Sequence, residues 1–174
     1  MIITIIGTHG TGKTTLSYLM ASYYKKQGKN VKIIQETARN CPFPLNEKMT
    51  IETCLWIYHE HSKKELEAKR NHDIVICDRS SFDSFVYAKN LNLFCDNFDN
   101  LYNSALHHLK TAYNKVILVK PDIPLVSDGI RSSDHSFQFE IDLLFEQLTK
   151  NVPLTRIFSS DIISESQKWK NYCT

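Results

Sequence analysis

Eight residues near the N-terminus, Gly7-Thr8-His9-Gly10-Thr11-Gly12-Lys13-Thr14, constrain this chain more than any other stretch of it. They follow an apolar run, Ile2 to Ile6, and precede residues that suit a helix from Lys13 onward. Strand, Gly-x-x-x-x-Gly-Lys-Thr loop and helix, in that order, form a phosphate-binding loop. The glycines let the backbone curl around an anion with several N–H groups pointing inward. The helix N-terminus adds partial positive charge. In such a loop the lysine reaches the β- and γ-phosphates of ATP, and the hydroxyl after it ligates Mg²⁺. Those roles fall to Lys13 and Thr14, and the expected ATP-binding set is Gly7, Thr8, His9, Gly10, Thr11, Gly12, Lys13, Thr14 and Thr15. Four specified positions recur by chance in roughly one chain in a hundred of this length, and the flanking strand and helix make coincidence rarer still.

Further strands follow at helix-length intervals. Asn30 to Gln35 reads as a second strand, with Glu36-Thr37-Ala38-Arg39 at its end. Ligands of open α/β sheets bind at the C-terminal ends of strands, so Glu36 and Arg39 are expected to meet an acceptor. Asn46 suits the cap of a long helix from about Glu47 to Arg70, with Ile51, Leu55, Tyr58, Ser62 and Leu66 near one face. A third buried strand, Ile74-Val75-Ile76-Cys77, delivers Asp78 towards Mg²⁺, with Thr14 as the other metal ligand. Hydrolytic P-loop ATPases of the AAA+ type place a glutamate after this aspartate to polarise water. Here Arg79 follows, which cannot act as a base and suits holding an acceptor or its phosphate. Transfer to a bound acceptor is therefore favoured over hydrolysis.

Ser80 or Ser81 is expected to cap the next helix, and Phe98, Leu101, Ala105, Leu109 and Ala112 mark another, with His107-His108 on its solvated face. Lys115 to Val119 is a fourth strand. The polar segment of about 124–135 contains Gly129 and Arg131 and is expected to be a lid bringing Arg131 onto the transferring phosphoryl group. A helix through Phe137 and Leu148, a short edge strand from Val152 to Phe158 and a last helix from about Asp161 to Tyr172 complete the pattern.

Composition excludes several classes. With 21 basic and 19 acidic residues the net charge is +2, which leaves no electrostatic footprint for nucleic acid or a membrane surface. Five cysteines without a C-x-x-C pair argue against a disulfide framework or zinc site and fit a reducing cytoplasm. Met1–Ile6 is too short for the core of a secretory signal, and no apolar run approaches the ~18 residues of a membrane span. The 174 residues suit a single domain.

Two sets of residues point to known families. Glu36-Thr37-Ala38-Arg39, with Val126-Ser127-Asp128-Gly129-Ile130-Arg131, resembles the ribosylnicotinamide kinase domain of the bacterial NAD-biosynthesis regulator and its related ATPases. Asp78-Arg79-Ser80-Ser81-Phe82, with Val86-Tyr87-Ala88, is similar to thymidylate kinases and deoxynucleoside kinases. The resemblance implies a P-loop NTPase fold: α/β, three layers, a five-stranded parallel sheet in the order 2-3-1-4-5. It also implies a kinase that uses ATP with Mg²⁺ to phosphorylate a nucleoside or nucleoside monophosphate. Lys13, Glu36 and Arg131 are the expected catalytic residues, and Glu36, Arg39 and Arg79 the acceptor-binding ones. For a nucleoside hydroxyl, Glu36 is the candidate base; for a monophosphate, Arg39 and Arg79 would clamp the phosphate. The competing class is an ATP-binding switch or interaction module with no small acceptor. Oligomeric state is open, a homodimer included.

Overall fold

Alternation along each strand places apolar side chains on both faces of the sheet. The structure, a computed structural model, describes residues 1–125, 132–163 and 168–173. Its elements are β1 (Ile2–Ile6), α1 (Lys13–Lys26), β2 (Val31–Ile34), α2 (Ile51–Asn71), β3 (Ile74–Asp78), α3 (Asp83–Asn90), α4 (Phe98–Thr111), β4 (Lys115–Lys120), α5 (His135–Leu148), β5 (Thr155–Phe158) and α6 (Ser159–Ile163). The strands pair in the order β2-β3-β1-β4-β5, all parallel, which is the topology the resemblance implies.

Period-two alternation divides the core. Ile2, Ile6, Val75, Cys77, Val116 and Leu118 face one layer, with Phe85 of α3, Phe98 of α4 and Phe145 of α5. Ile3, Ile5, Ile74, Ile76, Ile117 and Val119 face the other, with Leu16 and Met20 of α1 and Trp169 near the C-terminus. A sheet covered on both faces demands such continuous apolar strands. Its C-terminal edge, where β1, β2 and β3 end, is left as the place where polar loops converge.

Several local expectations need correction. Asn46 does not cap α2: it sits at φ 56° in a short 3-10 turn, Asn46–Lys48. The helix starts at Ile51, where Thr50 and Thr53 cap each other reciprocally. Its buried face is Thr53, Cys54, His61, Glu65 and Ala68, whereas Leu66 is 67% exposed. The neighbouring layer offers this helix polar partners, and they override the apolar stripe read from periodicity. On α1, Tyr24 is buried and donates to the Cys173 carbonyl at 2.6 Å. Neither Ser80 nor Ser81 caps α3 through its side chain; Asp83 instead accepts from the Ser80 N–H and hydroxyl. Where the last helix was expected, the described residues form α6 up to Ile163 and a 3-10 turn at Lys168–Tyr172; residues 164–167 lie outside the described residues. All five cysteines are free thiols, and no described helix is long and apolar enough to cross a membrane.

Candidate functional site

The loop between β1 and α1 curls because its glycines adopt backbone angles closed to other residues. Gly7 has φ +130°, and a Cβ there would lie 2.6 Å from the Val119 carbonyl, so only glycine lets the loop leave the sheet beside β4. Gly12 precedes α1 in the left-handed region, with φ 80° and ψ 14°. Lys13 is buried, and its ammonium donates to the Thr8 carbonyl and, at 3.2 Å, to Thr11 Oγ1. Burial, reinforced by Arg79, lowers its pKa to about 7. Thr15 is exposed on the first turn. His9 is buried, with Nδ1 3.2 Å from the Tyr87 hydroxyl.

Asp78, the last residue of β3, takes the Thr14 hydroxyl at 2.6 Å. These two groups come from elements 64 residues apart. Their hard oxygen donors, beside the phosphate loop, suit Mg²⁺ and its retained waters.

The chain turns sharply after Asp78. Arg79 has φ 83°, a left-handed conformation uncommon for a side-chain-bearing residue and concentrated at functional sites. Its N–H donates to the Ile5 carbonyl at 3.0 Å and its carbonyl accepts from Thr4 Oγ1 at 3.1 Å, so β1 holds the turn from both sides. The guanidinium then reaches across the sheet end. It contacts Glu36 Oε1 at 2.5 Å, the Gly7 carbonyl at 3.1 Å and Asp83 Oδ1 at 3.3 Å, and lies 5.6 Å from the Tyr87 ring centre. Glu36, just past β2, accepts from Arg39 Nε on its other oxygen at 3.0 Å. Burial alone would raise the Glu36 carboxyl, but Arg79, Lys13 and Arg39 outweigh it and lower the pKa to about 2. Burial likewise raises the Asp83 carboxyl, against the pull of Arg79.

A cleft opens beside this pair between α2, α3 and the 3-10 turns Thr37–Asn40 and Asn46–Lys48. Glu36, Arg39, Arg79 and Asp83 line it with Met49, Ile57 and Tyr87, so apolar walls meet a few convergent charges. The structure thus brings Lys13, Thr14, Asp78, Glu36, Arg39 and Arg79 to one edge of the sheet. Arg131 lies outside the described residues, as does the rest of 126–131, half of the segment expected as a lid. Sequence reasoning missed Asp83, although its spacing of four from Arg79 was a readable signal. It also missed Thr37 and His61, which meet at 3.2 Å on the cavity wall. Their pairing joins α2 to a separate turn, which local spacing does not announce.

A family model described as an AAA domain matches residues 2–161. Among solved structures, a thymidylate kinase from Ehrlichia chaffeensis is 22% identical, with a TM-score of 0.63 over 91% of this chain and 85% of that one. Deoxyadenosine kinase from M. mycoides with bound dATP is 20% identical, with a TM-score of 0.64 over 99% and 96%. NadR protein in complex with NR is 19% identical, with a TM-score of 0.66 over 95% of this chain and 46% of that one. At these identities the likeness is one of fold. Among curated proteins nothing matches.

Proposed function

The chain belongs to the AAA domain family, and from that premise we propose that it is a small-molecule kinase that transfers the γ-phosphoryl group of ATP to the hydroxyl of a nucleoside. In this reading the whole chain is one P-loop kinase unit, with residues 124–135 as its lid and Arg131 at the transferring group.

The loop N–H groups from Gly7 to Thr14 cradle the phosphates, and Lys13 leaves the Thr8 carbonyl for the β- and γ-oxygens. Thr14 and Asp78 would hold Mg²⁺, which when bound neutralises charge on the phosphates. Glu36 orients the acceptor hydroxyl and takes its proton. A carboxylate of low basicity suits this task, because phosphoryl transfer through a loose transition state needs positioning more than early deprotonation. Each Glu36 oxygen holds one arginine contact and keeps a lone pair for the acceptor.

The observation that carries the nucleoside reading is the state of Arg79. It is committed to Glu36, Asp83 and the Gly7 carbonyl, so it organises the base instead of offering a free fork to a phosphate. A monophosphate acceptor is the second reading, favoured by Arg39 and Arg79 sharing one cavity wall. The deoxyadenosine kinase and NadR likenesses support a nucleoside acceptor by analogy, and the thymidylate kinase likeness a nucleotide. Incubation with ATP·Mg²⁺ and a panel of nucleosides, nicotinamide riboside and nucleoside monophosphates, followed by product mass, decides between them. The expected product is a nucleoside monophosphate. A diphosphate formed from a monophosphate, with nucleosides inert, would overturn the nucleoside assignment.

A further inference from the structure

Helix α2 buries a carboxylate, which is costly unless its charge is met by hydrogen bonds. Glu65 is 1% exposed, and so is His61 one turn before it. Partners come from α4, the loop that follows it and β3. Glu65 Oε2 accepts from His108 of α4 at 2.7 Å, while Oε1 accepts from the Tyr113 hydroxyl and faces the Cys77 thiol at 3.8 Å. His61 Nε2 lies 3.0 Å from the same Oε1, close enough for charge contact but out of line for a straight hydrogen bond. Burial alone would raise this carboxyl; the hydrogen bonds from His108 and Tyr113 and the close contact with His61 outweigh it and lower the pKa to about 2. His107 is exposed as expected, whereas His108 is half-buried, with its Nε2 turned inward to Glu65.

On the other side of the ring, His61 Nδ1 lies 3.2 Å from the Thr37 hydroxyl, within hydrogen-bond distance. Thr37 is 2% exposed, opens the 3-10 turn Thr37–Asn40 and directly follows Glu36. The chain of polar contacts thus runs from α4 through α2 to the residue beside the candidate base.

Resting on the kinase reading above, we propose that His61 and Glu65 are positioning residues: the buried chain Glu65–His61–Thr37 fixes the turn that follows Glu36, and so holds the Glu36 carboxylate against Arg79 at the mouth of the acceptor cavity. A divalent metal is the competing occupant, because His61 Nε2, Glu65 Oε1 and Cys77 Sγ lie within 4.8 Å of one another. The Glu65 oxygens already take donors from His108 and Tyr113, and burial and Glu65 push the Cys77 thiol well up, away from the thiolate a metal requires.

The test compares Thr37→Val, which keeps the side chain's shape and removes its hydroxyl, with Thr37→Ser, which keeps the hydroxyl. In Thr37→Val, kcat is expected to fall about tenfold or more with KM for ATP unchanged, as for a misplaced catalytic group. Thr37→Ser is expected to stay within about twofold of wild type in both. A second readout needs no kinase activity: a carboxyl-carbon NMR titration of Glu36. In wild type Glu36 stays ionised through pH 3.5, whereas in Thr37→Val and Glu65→Gln its midpoint rises by about one pH unit. If Glu65→Gln does not fold, Thr37→Val alone decides. An unchanged Glu36 midpoint in folded Thr37→Val overturns the proposal, as does one equivalent of zinc in the purified protein, which would make the cluster a metal centre. A wild type inactive with every acceptor overturns the kinase reading instead, and the titration still decides the positioning role.

Discussion

Lys13 is held in a form that favours its own loop until phosphate arrives. Its pKa is lowered from 10.5 to about 7 by burial, so above pH 7 the free protein carries a mostly neutral lysine. An ammonium facing phosphates regains its proton. ATP binding is therefore expected to take up a proton and to weaken by up to about tenfold per pH unit above 7. Calorimetry in buffers of different ionisation enthalpy measures both. The same shift acts on folding: between pH 7 and 10.5 the unfolded chain binds more protons, so stability from this group rises with pH. Lys13→Met is accordingly expected to raise the Tm at pH 7 while abolishing phosphoryl transfer; near-normal turnover would remove Lys13 from the mechanism. Glu36 is the acceptor-side counterpart. Glu36→Gln is expected to lower kcat by roughly 10² to 10⁴ with little change in acceptor affinity, read from steady-state kinetics. An unchanged kcat would reject the base role.

At the scale of the element, α2 shows where local sequence stops being informative. Its start depends on Thr50 and Thr53 satisfying each other's backbone N–H groups. Thr50→Ala is expected to cost about 1 kcal/mol in a urea titration; no change would mean that the first turn is held by packing. Asn46 has the right chemistry for a cap, yet the loop carries it into a left-handed turn, and nothing in the sequence signals that path. The buried face was illegible for a related reason. His61 and Glu65 look like solvated polar residues until His108 and Tyr113, 43 and 48 residues downstream from Glu65, close over them. By contrast β1, the loop and α1 were legible because strand, glycines and helix all lie in one short stretch and impose one geometry.

The whole molecule gathers its chemistry at one edge of a parallel sheet, with Asp78 and Arg79 from β3 between Thr14 on one side and Glu36 on the other. Strand order came from family resemblance, since periodicity identifies strands without ordering them. The acceptor side was only half legible: Glu36, Arg39 and Arg79 stand at strand ends, but that Arg79 is tied to Glu36 and Asp83 depends on a tertiary turn. Two carboxylates, Glu65 buried and Glu36 partly so, also contribute to the acid response of the fold. Glu36 and Glu65 have pKa values lowered from 4.5 to about 2, so the stability they contribute is complete above pH 4.5 and is lost as pH falls towards 2. Urea midpoints are expected to be flat from pH 7 to 5 and to decline below 4.5, less steeply in Glu65→Gln; an equal decline in that variant would remove Glu65 from the acid response. The central claim is that the phosphate loop is the donor half of a two-substrate site. ADP and phosphorylated nucleoside, quantified together with and without saturating nucleoside, test it most directly. The account expects equal amounts of both products and ADP formation at least about a hundredfold faster with the acceptor. ADP released at the same rate without acceptor, and with no phosphorylated nucleoside, would contradict it and identify a nucleotide-hydrolysing switch.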